Sequence, residues 1–157
     1  MTNLTIDQIS QGQQLPDLPY DVSATTVVLG ALASRDFRPM HHDYKFATER
    51  NGTQDIFVNT PNLAHWFERY ITDWTGPKGR LGRITFQMKA SVFPGETMVL
   101  SGQVKQVTTD DVGCAWVDLH LAVSVDGKVA TGCTARVALP KDKYDNPWTR
   151  KGDQWKP

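Results

Sequence analysis

"NTPNLAHWFERYITDWTGP", residues 59–77, is the stretch whose reading decides the fold. Leu63, Trp66, Phe67, Tyr70, Ile71 and Trp74 recur at helical spacing and form one broad apolar stripe. Thr60 suits the N-cap, Pro61 the first helical position, and Gly76-Pro77 the stop. A helix with so many bulky apolar side chains on one face has to be covered by something large.

Most of the remaining chain reads as strands. "RITFQMKASV" (83–92) alternates strictly, with Ile84, Phe86, Met88, Ala90 and Val92 on one face. "FPGET" makes a turn, because Pro94 presets φ and Gly95 tolerates positive φ, and "MVLSGQVKQV" (98–107) follows as a strand. "CAWVDLHLAVSV" (114–125) sets Val117, Leu119, Leu121, Val123 and Val125 against Trp116, Asp118 and His120. Asp126-Gly127 is a two-residue hairpin signal leading into "KVATGCTARVAL". Upstream, "TTVVLGALAS" (25–34) is short, apolar and rich in β-branched residues, and predicts a further strand. Asp43 can cap a short helix running through "YKFATER" to Asn51-Gly52.

One large apolar helix among four or five long, mostly antiparallel strands needs a curved sheet wrapped around it. This predicts an α+β chain of the hot-dog type, with one domain over residues 1–139 and a polar tail over 140–157. The tail is either a mobile terminus or a strap whose Trp148 and Trp155 dock on a neighbouring surface. An open curved sheet has edges that favour pairing, so an oligomer is expected, either a homodimer or a pairing with a related chain.

Lysine plus arginine and aspartate plus glutamate are balanced at 17 each, which leaves no global field to attract nucleic acid or an anionic membrane. Cys114 and Cys133 are far apart and sit in apolar runs, which predicts buried thiols rather than a disulfide framework or a zinc knuckle. No charged-then-apolar leader opens the chain and no apolar run approaches the roughly 18 residues needed to span a bilayer. The expected location is cytoplasmic.

The chemistry concentrates in "SRDFRPMHHDY", residues 34–44. Asp36 and His41 are separated by Phe37-Arg38-Pro39-Met40, and the residue before a proline is pushed out of the helical region, so the loop can bring both side chains to one point. A carboxylate and an imidazole around one water form an acid/base pair of the kind that contributes about 10²- to 10⁴-fold in rate. A polar turn with an Asp–His hydrogen bond is the alternative reading of the same residues. A metal site built from His41, His42 and Asp43 is not expected, because nothing else in the chain supplies a recognisable further ligand.

"SRDFRPMHHD" resembles the D-F-N-P-x-H-x-D signature of MaoC-like, R-specific enoyl-CoA hydratases, a hot-dog family. The likeness extends through "ITDWTGPKGRLGRITFQMKASVFPGETMVLSGQV" (71–104) and covers about residues 12 to 139 in outline. "RDFxxxHHD" followed by "DIFVN" and "DWTGP" is similar to the small catalytic subunits of heteromeric hydratases that act on steroid side-chain CoA thioesters. The resemblance implies that Asp36 and His41 are catalytic and that water adds reversibly across the 2-enoyl double bond of a CoA thioester, with no cofactor beyond the CoA of the substrate. It also implies a second hot-dog subunit that completes the acyl pocket.

In that family a backbone N–H at the start of the central helix, within an H-G step, receives the charge that develops on the thioester oxygen. The corresponding step here is Asn59-Thr60, a departure that preserves a helix N-terminus and hence a donor. Thr60 N–H is the candidate, with Phe57, Val58 and Asn59 lining the approach. Arg38 replaces the family's Asn and becomes a candidate substrate contact. Lys78 and Arg80, with Arg83 and Lys89, are candidates for the CoA phosphates. His65 and His120 read as packing, interface or solvent residues.

Two other functions fit the same fold. A hot-dog thioesterase would place a carboxylate on the central helix, where Glu68 lies. A non-catalytic subunit that only shapes a partner's site would have no physical need for Asp36 and His41.

Overall fold

The computed structural model describes residues 3–157. Five antiparallel strands form one sheet: β1 (Gln14–Asp21), β2 (Arg80–Met88), β3 (Thr97–Thr109), β4 (Ala115–Val125) and β5 (Lys128–Leu139), in the order β1-β3-β4-β5-β2. Two α-helices accompany them, α1 (Ala24–Ala33) and α2 (Thr60–Thr75). The sheet curls around α2 in the hot-dog arrangement expected from the sequence.

Helix α2 buries Leu63, Trp66, Phe67, Tyr70 and Ile71. Phe67 meets Phe86 of β2 at 6.0 Å between ring centroids, and Trp66 meets Tyr20 of β1 at 4.3 Å. Tyr70 donates its hydroxyl to the Pro16 carbonyl of β1 at 2.9 Å. The two strands that close the sheet's edges are therefore both tied to one helix face. Each of these large side chains contributes roughly 1.5–3 kcal/mol by leaving water, which is why this helix organises the core.

The N-cap of α2 is Asn59 rather than Thr60: Asn59 is extended and its side chain accepts from Asn62 N–H, while Thr60 and Pro61 are the first two helical residues. Both residues make good caps, and proline is tolerated throughout the first turn, so the two registers differ little in local cost.

Residues 25–34 form most of helix α1, not a strand. Ser23 caps it, accepting from Thr26 N–H at 3.0 Å, and the β-branched quartet Thr25 to Val28 gives way to Leu-Gly-Ala-Leu-Ala, a run of mostly strong helix formers. Gly30 faces α2, and a Cβ there would fall 1.9 Å from Asn62 Nδ2, so the glycine is what lets the two helices approach. The strand missing from the sequence reading is β1, whose Pro16 and Pro19 disguise it. It is an edge strand with a register shift between Leu15 and Leu18, a place where prolines are accommodated.

The C-terminal tail packs on its own sheet. Trp155 lies 4.9 Å from Trp116 between ring centroids, on the face of β4 that points away from α2. Arg80 stacks over Trp155 at 3.6 Å and donates to the Pro147 and Arg150 carbonyls, while Lys78 Nζ donates to the Lys143 carbonyl at 2.7 Å. The strap therefore serves this chain.

Candidate active site

Helix α1 ends in a Schellman motif that aims the loop. Asp36 N–H donates to the Ala31 carbonyl and Arg35 N–H to the Leu32 carbonyl, with Arg35 at φ 56°, a left-handed position usually taken by glycine. The turn delivers Asp36 directly beside the N-terminus of α2. Pro39-Met40-His41 then forms one 3-10 turn, and His41 points inward, only 3% exposed. The short helix capped by Asp43 follows as expected, with Phe46 N–H donating to its carboxylate at 3.0 Å and a π-type turn over Phe46–Arg50.

Asp36 and His41 come together. His41 Nε2 is 3.5 Å from Asp36 Oδ2, and the Asp36 side chain is 8% exposed. His41 Nδ1 is 2.9 Å from the Phe57 carbonyl. A carbonyl oxygen only accepts, so Nδ1 carries the hydrogen, and Nε2 is the ring nitrogen that faces Asp36 and is open to exchange a proton. The ring of Phe57 braces the imidazole edge-on at 4.7 Å.

Asp36 is heavily hydrogen-bonded. Arg38 Nε donates to Oδ1 at 2.8 Å and Arg38 Nη2 to Oδ2 at 2.9 Å, while Asn59 Nδ2 donates to Oδ2 at 3.0 Å. The Arg38 guanidinium, helped by Asn59, holds the carboxyl well below the usual carboxylate range against the opposing effect of burial. Asp36 is a permanent anion at neutral pH.

Asn59, fully buried, was read from the sequence only as lining the approach. Its amide reaches Asp36 and Ser34 Oγ, and its Oδ1 accepts from Asn62 N–H. Thr60 is the first helical residue, so its N–H has no intrahelical acceptor. Its hydroxyl contacts Met88 Sδ at 3.2 Å. Val58 contributes only backbone here, because its side chain is wholly in the core.

The other candidates lie elsewhere. Lys78 and Arg80 follow the C-terminus of the 16-residue α2, roughly 24 Å of helix from Thr60, and both are engaged by the tail. Arg83 lines a polar groove on the outer sheet face with Lys105, Asp118, His120 and Arg136. Glu68 and His65 are exposed on α2. His42 Nε2 contacts the Phe37 carbonyl at 3.2 Å and Asp43 is occupied as a cap. Among the described residues, no group of three histidine, cysteine or acidic side chains is placed to hold a metal ion.

Comparison with known proteins places the chain in a family. The chain is 36% identical over 120 residues to the 3-oxo-4,17-pregnadiene-20-carboxyl-CoA hydratase beta subunit of Mycobacterium tuberculosis, covering 73% of this chain and 92% of the relative. The chain belongs to the MaoC-like hydratase family. No protein-family model matches the chain. Among solved structures, this family member superposes on the ChsH1-ChsH2 complex from Mycobacterium tuberculosis with a TM-score of 0.75 and 27% identity, covering 83% of this chain and 98% of that one. The R-hydratase PhaJ1 from Pseudomonas aeruginosa has the same fold, with a TM-score of 0.78 at 17% identity over 89% of this chain and 88% of that one. No helix of the described residues is long and apolar enough to cross a membrane.

Proposed function

We propose that this chain is the acid/base subunit of an enoyl-CoA hydratase, or in the reverse direction a 3-hydroxyacyl-CoA dehydratase. The observation that carries the reading is the pair itself. A buried imidazole with its tautomer fixed by Phe57 presents Nε2 to a buried carboxylate 3.5 Å away, beside the N-terminus of α2. A water held between them gives up a proton, its oxygen bonds to C3 of the enoyl group, and the π electrons move towards the thioester oxygen. Thr60 N–H receives that charge, and a proton returned to C2 completes the addition of water. Losing such a donor typically costs about 10²- to 10³-fold.

The relative's name supports a steroid side-chain CoA thioester as the substrate class, and the chemistry needs no cofactor beyond that CoA. The ChsH1-ChsH2 assembly supports pairing with a second hot-dog chain, for which the outer edges of β1 and β2 are available. The proposed location is cytoplasmic. Phe57 and Asn59 shape the approach. A phosphate contact from Lys78 or Arg80 would require the tail to lift from them. Glu68, exposed on α2, does not favour a thioesterase.

The test is to purify the chain alone and with a candidate second hot-dog chain, supply 2-enoyl-CoA thioesters, and follow loss of the conjugated thioester absorbance. Turnover that falls about 10²- to 10⁴-fold in Asp36→Asn and His41→Ala supports the reading. Release of free CoA thiol instead of hydration, or turnover unchanged in both variants, overturns it.

A further inference from the structure

We propose that Arg38 is a positioning residue that, with Asn59, fills the acceptor sites of Asp36, so that Asp36 stays a fixed anion beside His41 and His41 Nε2 alone takes the proton of the attacking water. This rests on the hydratase reading and divides the labour within the pair.

The geometry is an inventory of lone pairs. A carboxylate offers about four acceptor positions. At Asp36, Oδ1 receives Arg38 Nε at 2.8 Å and the more distant Arg38 N–H at 3.4 Å, and Oδ2 receives Arg38 Nη2 at 2.9 Å and Asn59 Nδ2 at 3.0 Å. Fork-to-fork pairing of a guanidinium with a carboxylate is the strongest and most directional arrangement available to these two groups. An oxygen so supplied with donors is a poor place to put another proton. His41 is the opposite case. Its Nδ1 is committed to the Phe57 carbonyl, and its Nε2 is an unshared acceptor facing the same space. The proton of the attacking water therefore goes to Nε2. The water's oxygen bonds to C3, the C2=C3 π pair becomes the enolate, and Nε2 returns the proton to C2, so one water is consumed and both protons are accounted for.

Arg38 does this from outside. Its side chain is 61% exposed while that of Asp36 is 8% exposed, so the guanidinium covers the solvent side of the carboxylate. Two other polar groups of the loop are engaged elsewhere: Asp43 caps Phe46 and His42 faces the Phe37 carbonyl. An arginine with this reach explains the departure from the family's Asn at this position as a changed hydrogen-bond scheme around the catalytic carboxylate.

The experiment compares wild type, Arg38→Asn and Arg38→Lys in the active assembly, measuring kcat and KM with a 2-enoyl-CoA across pH. Carboxyl carbon NMR of Asp36 in the same proteins is the readout that does not depend on turnover. Arg38→Asn is expected to lower kcat about 10- to 100-fold with KM within about threefold of wild type, the scale on which misplacing a catalytic group acts. Its acid limb moves to higher pH, because the uncovered carboxylate favours a proton on Nε2. Arg38→Lys keeps the limb in place but regains only part of kcat, because an ammonium cannot make the fork. An unchanged kcat and limb, or a raised KM with unchanged kcat, overturns the proposal. If wild type does not turn over, the hydratase reading fails. The clamp is then judged by NMR alone: it holds if Asp36 titrates at higher pH in Arg38→Asn than in wild type, and fails if the two coincide.

Discussion

Asn59 joins the Asp36 carboxylate to the central helix through a single amide: its Nδ2 donates to Asp36 Oδ2 at 3.0 Å, and its Oδ1 accepts from Asn62 N–H at 3.3 Å. The N-terminus of α2 and the loop carrying Asp36 and His41 are thereby held in one register. In the proposed hydratase, this register would set Thr60 N–H and the Asp36–His41 pair at the two ends of one reacting group.

The two functions of Asn59 can be separated. Asn59→Ser keeps a good N-cap but is too short to reach Asp36, so about 1.5–3 kcal/mol is expected to go with the lost hydrogen bond to that charge, while kcat falls about tenfold or more. Asn59→Ala removes both and costs about 1–2 kcal/mol in addition. Urea unfolding and initial rates on the same samples check the split, and a serine variant as unstable as the alanine variant would contradict it.

Arg35 occupies the C′ position of the Schellman motif at φ 56°, where an L side chain is strained by roughly 1–2 kcal/mol. Arg35→Gly relieves that strain at the expense of some chain entropy, so a net gain of about 0.5–1 kcal/mol is expected. Thermal melts check it. Asp36 should keep its place, because the Asp36 N–H to Ala31 carbonyl bond does not depend on the side chain at 35.

Helix α2, the strand from Lys128 to Leu139 and the Asp126-Gly127 turn were legible because each carries its own period or turn chemistry. Asp36 and His41 were legible because a proline between them breaks the helix that would have kept them apart. Helix α1 was not, because a ten-residue run that is apolar on nearly every side has no period to separate helix from strand, and only the Ser23 cap tips the balance. β1 was hidden by two prolines that only an edge strand tolerates. The role of Asn59 was invisible for a different reason: its partners Ser34 and Asp36 are 25 and 23 residues away, and no local pattern encodes that meeting.

The depressed carboxyl of Asp36 sets a pH dependence whose sign is fixed. A group whose native pKa lies below its unfolded value, near 3.9 for aspartate, contributes stability that is present above that value and lost as pH falls below it. Arg38→Asn removes the largest cause of the depression. The variant is therefore expected to be less stable than wild type by a constant margin from neutral pH down to about pH 4, with the margin shrinking below that. Urea midpoints measured between pH 3 and 7 check it, and a margin that grows as pH falls would contradict the assignment.

The tail gives a prediction that leaves the active site alone. Trp155 is sandwiched between Trp116 and the Arg80 guanidinium, and Arg80 in turn is pinned by the Pro147 and Arg150 carbonyls, all at the end of the sheet remote from Thr60. Trp155→Ala removes one half-buried indole and one cation–π contact, which together are worth about 1–3 kcal/mol. It also uncovers Trp116, so its intrinsic fluorescence shifts to the red before any unfolding. Because α2 separates this cluster from His41 and Asp36, kcat is expected to stay within about twofold of wild type. A large loss of kcat with stability intact would show that the strap reaches the reacting end of the molecule, through the partner subunit or through Lys78, and would reassign the tail from support of the fold to control of substrate entry.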